Sequence, residues 1–417
     1  MNSQIRRCRE TALHILKPSR KEIERGMAIH RESIVWDAYG FAPVAAIDGD
    51  AIKKAINTGA SAVEIQDMTE EMMMTDFVMN KQARHEYIEA WEASGVTCVM
   101  QNAGEEGNSV NRLLKRHARF TWVTDMLKPQ IRKVISPEEV ASARKENLHC
   151  LCFTGNGVPL AGEYISVEEE LRYIRIFFQM GTRMMHLTYN RRNLLGDGCV
   201  EPSNGGLSDF GRTVIKEMNR TGIIVDVAHS GQQTSLEACR ASSSPVVASH
   251  SACMSLRKHV RAKTDEVIGP IADTGGYIGI CAIPAFLGGS GDISAFLDHI
   301  CHAVRKFGAE HVAIGTDHGY TSSRSGKEYR KVPLHRNRTS WESFWPKNDP
   351  MFDKKWESPE KQMSLAWTNW PLFTVGLVQR GLSEKQIAAV IGGNVMRVCR
   401  EVRSKSEFKG IPGNPDS

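Results

Sequence analysis

From about residue 33 to residue 318, short apolar runs of strand length alternate with longer stretches whose apolar residues recur at helical spacing. That alternation is the signature of βα units and a parallel sheet with helices packed outside it. The strand candidates are SIVWDAY, GVTCVMQNA, LHCLCFTG, TRMMHLTYN, GIIVDVAHS, SPVVASHS, GGYIGICAI and HVAIGTDHG, eight in all. The connectors carry helix punctuation: SVEEELRYIRIFFQMG opens on a Ser-x-x-Glu capping box, and LSDFGRTVIKEMNRTG stops at Gly222. Eight units with no central break in composition predict a single domain over 1–417. Its fold class is α/β, a closed (β/α)8 TIM barrel over about 33–403, with a short helical N-terminal extension and a short polar C-terminal one.

Two segments depart from the plain repeat. Residues 47–94 read as a helical insertion after strand one, with GASAVEI as a possible extra strand. Residues 320–363 are rich in Trp, Pro and charge and follow strand eight, which predicts a long loop over the barrel mouth that shapes a substrate site.

Composition adds limits. The 417 residues are 41% hydrophobic and 24% charged with a net charge of +5, and basic clusters such as Arg6-Arg7 and Lys115-Arg116 sit among acids. Those clusters read as solvated faces rather than as a nucleic-acid surface. No segment approaches the roughly 20 apolar residues of a membrane span, and the N-terminus lacks an apolar stretch of signal-peptide length. A cytoplasmic protein is expected, with its ten scattered cysteines reduced and mostly buried; Cys150 and Cys152 lack zinc-ribbon spacing.

Candidate chemistry collects at the ends of the late strands. His229, His250 and Asp317 each close an apolar run, and barrels of this class keep their active sites at the C-terminal mouth. Two neutral imidazoles and a carboxylate also suit zinc, whose catalytic sites use three protein ligands and keep one open position. Arg261, in the loop after the His250 strand, has two readings: a clamp on a substrate carboxylate, or a surface ion pair with Asp265 or Glu266. The polar, Gly-rich stretch LTYNRRNLLGDGCVEP reads as a binding loop or as ordinary turns.

At these residues the chain resembles the membrane (renal) dipeptidase family of amidohydrolase-like metal-dependent barrels. The resemblance runs from about residue 33 to 403 and is most specific between 181 and 265. It rests on GLSDFGRTVIKEMNRTGIIVDVAHS followed by PVVASHSA, on RAKTDE, on HVAIGTDHG and on GLSEKQIAAVIGGNVMRV. In that family two zinc ions share a bridging glutamate. The resemblance implies that His229 and His250 match the two histidines of the second metal, Arg261 the arginine that holds the substrate carboxylate, and Asp317 the catalytic aspartate. It also implies a dipeptide-like substrate and a homodimer.

The departures from the family pattern bear on the metal count. Tyr39 and Phe41 stand where the His and Asp of the first metal belong, Thr154 where the bridging glutamate is expected, and Tyr189 where a substrate-positioning histidine stands. The resemblance therefore implies a dipeptidase-like hydrolase with one zinc ion rather than two. His229 and His250 would hold it, with Asp317 or a side chain of the 196–201 loop as the further ligand. Asp317 has the alternative role of proton shuttle to the leaving amine. The competing reading is an inactive or metal-free barrel binding a small carboxylate ligand, with Tyr39, Thr154, Tyr189 and Arg261 as its pocket.

Overall fold

A computed structural model describes residues 2–104, 106, 109–160, 162–163, 165–333 and 339–408. Ten strands form one parallel sheet: β1 Trp36–Gly40, β2 Cys98–Asn102, β3 Ile131–Lys133, β4 His149–Gly155, β5 Thr182–His186, β6 Ile224–Asp226, β7 Val246–Cys253, β8 Ala262–Lys263, β9 Ile278–Ile280 and β10 Val312–Ile314. The hydrogen-bonded order is β1-β2-β4-β5-β6-β7-β9-β10, with β3 beside β4 and β8 beside β7. Backbone hydrogen bonds from Asp317 to Tyr39 and from Phe41 to His318, each 3.0 Å, tie the last strand end to the first. The result is the nearly closed eight-stranded barrel that the βα pattern predicts. All eight expected strands are present; β3 and β8, of three and two residues, are too short to leave a pattern of their own.

Strand residues alternate between two cores, because successive side chains leave opposite faces of a strand. Val99, Leu151, Phe153, Met185, Val225 and Ile278 pack outward against the helices. Cys98, Met100, Cys150, Cys152, Met184 and Ile224 pack inside, where the helix Asn394–Lys405 closes the bottom with Val395, Val398 and Val402. Continuing the inward series toward the mouth brings Cys152 to Thr154, Met184 to His186 and Ile224 to Asp226. All three of these polar residues are fully buried.

The insertion after β1 is helical, as expected, in three helices: Gly49–Asn57, Ala62–Met79 and Lys81–Ser94. The possible strand GASAVEI is overturned. Ser61 caps the second of these helices, its side chain accepting from Glu64 N–H while Glu64 reaches back to the Ser61 backbone, a reciprocal box that fixes a helix start. At Ser166 only one arm of the expected box forms, the side chain accepting from Glu169 N–H. Gly222 does stop the helix Asp209–Thr221, at φ 88° in the left-handed region that suits glycine.

The segment after β10 lies over the mouth, where Phe344 and Trp341 reach Tyr189. It is not structureless: short helices occupy Ser325–Tyr329, Ser340–Ser343 and Pro359–Ser364. Two N-terminal helices, Ser3–Leu16 and Arg20–Glu32, form the expected extension, and the end of the polar C-terminal tail, 409–417, lies outside the described residues. The ten cysteines are free thiols, eight of them buried. Among the described residues no helix is long and apolar enough to cross a membrane.

Candidate active site

The expected pair comes together. His229, just after β6, and His250, within β7, place their Nε2 atoms 2.9 Å apart. Each ring is held from behind: His229 Nδ1 lies 2.8 Å from Asn190 Oδ1, and His250 Nδ1 lies 2.8 Å from Ser249 Oγ. Asn190 can serve His229 because the chain after β5 turns sharply there, in the left-handed region at φ 56°. Gly198 packs against that turn so closely that a Cβ would meet the Asn190 carbonyl at 2.1 Å. Burial, then the nearby Arg261 charge, pushes both imidazoles well below the usual histidine range, so both are neutral. With both Nδ1 atoms protonated, two Nε2 lone pairs would face each other across this gap; a cation or a shared proton removes that repulsion.

Two tyrosines cover these rings. Tyr39 stacks on His250 with centroids 3.9 Å apart, and Tyr189 on His229 at 4.0 Å. The Tyr39 hydroxyl donates to Asn156 Oδ1, and the Tyr189 oxygen accepts from Trp341 Nε1 at 2.8 Å. Burial raises both phenols well above their ordinary value, so they are neutral hydrogen-bonding groups. Thr154 is buried on the inward face of β4 with no hydrogen-bond partner for its hydroxyl. Phe41 meets Tyr39 edge to face at 6.0 Å.

Arg261 is 1% exposed, which overturns the surface ion-pair reading; Asp265 pairs instead with Lys306. The guanidinium crosses into the barrel mouth and donates to the carbonyls of Ala228 and His250, while its Nε–H has no partner. Asp317 adopts φ 56° just beyond β10. Burial pushes its carboxyl up to about 7, against the opposing pull of Arg261. A left-handed Asp is tolerated more readily than most residues but still costs energy, and such strain gathers at functional positions.

Side chains of the 196–201 loop are committed elsewhere. Asp197 binds Arg192, Ser203 and the Gly205 backbone, Cys199 points at Asn190, and Glu201 accepts from the Arg192 backbone. Among the described residues, the one interior group of potential ligand atoms within 4.8 Å of one another is His186, Asp226 and His250. Asp317 does not join the histidines in such a group.

Reasoning from strand ends therefore finds His229 and His250 but passes over His186 and Asp226, whose signal lies in the inward alternation of Met184-x-His186 and Ile224-x-Asp226. Asn156 and Asn190 carry no sequence signal beyond their turns. Glu106 also reaches the mouth, contacting Arg112 and Asn156 from the loop after β2, and had no distinguishing pattern.

The comparisons with known proteins fit this architecture. Dipeptidase tcpJ of Claviceps purpurea is 28% identical over 234 residues, 55% of this chain and 47% of that protein. Dipeptidase verJ of Clonostachys rogersoniana is 29% identical over 237 residues, 56% of this chain and 52% of that protein. The chain thus matches about half the length of these curated relatives. An amidohydrolase from Pseudomonas aeruginosa shares the fold with a TM-score of 0.65 at 22% identity, covering 90% of this chain and 98% of the other. The sequence model of Membrane dipeptidase (Peptidase family M19) matches residues 24–332, which span the barrel from the helix before β1 to the segment after β10. On that match the chain belongs to the membrane dipeptidase family, peptidase family M19.

Proposed function

We propose that the protein is a metal-dependent hydrolase of dipeptides, or of related amides with a free carboxylate, working with one ion rather than two. The carrying observation is the neutral His229–His250 pair, its Nε2 atoms 2.9 Å apart in a buried mouth that also holds a fixed cation and a carboxyl group. The pair fits a divalent ion, since both rings are neutral and each Nδ1 has an oxygen to hold it in place. The positions of the family's first metal do not fit one. Tyr39, Phe41 and Thr154 offer neither an imidazole nor a carboxylate there.

A bound zinc ion would supply Lewis-acid polarisation of the scissile carbonyl and a water acidified toward neutrality. The chain's own residues do the rest. Arg261, with guanidinium donors beyond its two carbonyl contacts, holds the substrate carboxylate. Tyr39 and Tyr189 wall the site and exclude water above the imidazoles. Asp317, protonated near neutral pH, gives its proton to the departing amine.

A second reading has one observation in its favour: His229 and His250 satisfy each other through a single N–H···N bond if the Ser249 hydroxyl donates to His250 Nδ1. The barrel would then bind a small carboxylate without metal. Elemental mass spectrometry on purified protein, wild type against a His229→Ala/His250→Ala double variant, separates the two. About one zinc per chain that is lost in the double variant, together with cleavage of dipeptides but not of their C-terminal amides, is the expected result. A metal-free wild type that binds carboxylates without cleaving anything would establish the second reading instead.

A further inference from the structure

Inside the barrel, β5 and β6 end on a pair in register, His186 opposite Asp226, both fully buried. Asp226 Oδ1 is fully used, accepting from the Ala228 and Ser249 backbones at 2.9 and 3.0 Å. Its other oxygen lies 2.6 Å from His186 Nε2. That contact is close but not aligned as a hydrogen bond. Asp226 Oδ2 and both ring nitrogens of His186 are left without a hydrogen-bond partner.

A bare structural ion pair does not look like this. A buried imidazolium beside a carboxylate gains most by aiming an N–H at an oxygen, and each buried polar atom left unpaired is destabilising. The two donors are left without another partner, and an ion taken up here would part their 2.6 Å contact to the roughly 3.3 Å that separates neighbouring tetrahedral zinc ligands. The third member is His250 on the adjacent strand β7, whose ligand atom lies within 4.8 Å of the other two. Its ring centroid is 5.2 Å from that of His186.

We propose that His186, Asp226 and His250 form a metal site inside the barrel that takes one divalent transition-metal ion such as zinc. Two imidazoles and a carboxylate are a donor set that zinc accepts, with the remaining position open. Three adjacent strands, β5, β6 and β7, supply the ligands. The inference rests on the metal-dependent reading above and moves the ion from a two-histidine seat toward the barrel interior, where His250 is shared and His229 flanks it. It also accounts for Tyr39, Phe41 and Thr154: a chain that draws its ligands from β5 and β6 does not need them from β1 and β4.

The test is cobalt(II) substitution of the full-length, metal-stripped protein, read by visible absorption and by metal stoichiometry. In His186→Gln and Asp226→Asn, the second of which keeps the two backbone hydrogen bonds, cobalt affinity should fall by at least about tenfold. His186→Cys supplies a gain of signal: a thiolate-to-cobalt charge-transfer band in the near ultraviolet that the wild type lacks. If cobalt binds the Gln and Asn variants as tightly as wild type, or binds His186→Cys with no thiolate band, the site is wrong. In that case, cobalt binding that is lost only in His229→Ala/His250→Ala preserves the metal-dependent reading. A wild type that takes up neither cobalt nor zinc overturns both.

Discussion

Asp317 shows how one residue's environment sets a testable function. Its carboxyl is raised to about 7 by burial, only partly opposed by Arg261, so it is protonated below that value and ionised above it. Donation to a leaving amine needs the protonated form, so kcat should fall as pH rises through about 7. In Asp317→Asn, kcat should drop by roughly two orders of magnitude or more, and the alkaline fall should disappear. An unchanged pH profile in the variant would remove Asp317 from proton transfer. At this scale the sequence made part of the site legible. His229 and His250 stand out because each follows an apolar run, and the barrel rule sends such residues to the mouth. His186 and Asp226 end equally apolar runs, but only the strand alternation, followed residue by residue, assigns them to the interior. Arg261 could not be placed from spacing, since an arginine near Asp265 and Glu266 reads as a surface pair until the fold buries it.

At the scale of elements, local signals were reliable where they were chemically complete. Gly222 is one, and it makes a quantitative comparison possible with Gly59, which has nearly the same left-handed φ of 87°. A Cβ on Gly59 meets nothing within 4 Å, whereas one on Gly222 meets Ser406 Cβ at 2.9 Å. Gly59→Ala should therefore cost only the backbone term, about 1 kcal/mol, while Gly222→Ala adds a steric clash and should cost visibly more in urea unfolding. Equal losses would mean that the Ser406 segment yields freely. The failed reading, GASAVEI as a strand, has the complementary explanation. Its few β-branched residues are outweighed by the Ser61–Glu64 box, a pair of hydrogen bonds that exists only if a helix starts there. The segment after β10 was legible as a covering of the mouth from its position and aromatic content, and two of its short helices carry local start signals, the Thr339–Glu342 capping box and Pro359 in the first turn.

For the whole molecule, the buried histidines set how stability responds to acid. His30 sits between Thr374 Oγ1 and the Ser94 carbonyl, and His117 between the Leu113 carbonyl and Thr182 Oγ1, each bridging a helix to a neighbouring element. Burial lowers both to about 4, and does the same for His318; His149 and His299 are lowered for the same reason. Each of these groups stays neutral in the native state while its unfolded counterpart takes up a proton below about 6.5. The unfolded state then binds more protons, so stability is lost as pH falls from about 6.5 to about 4. Asp37 and Asp317 act in the opposite sense. Burial raises each to about 7, so they are protonated in the native state over that same window and ionised when unfolded above about 4. With His229 and His250, also lowered by burial, seven histidines stand against two carboxyls and leave a net loss; even two uncompensated histidines correspond to about 3 kcal/mol per pH unit. Urea unfolding of metal-free protein at pH 7, 6 and 5 should therefore show stability falling steeply with acid, and His30→Gln or His117→Gln, though less stable at pH 7, should show a shallower slope. A flat or rising curve would mean that the carboxyls outweigh the histidines, and variants with the wild-type slope would mean that His30 and His117 do not contribute to it.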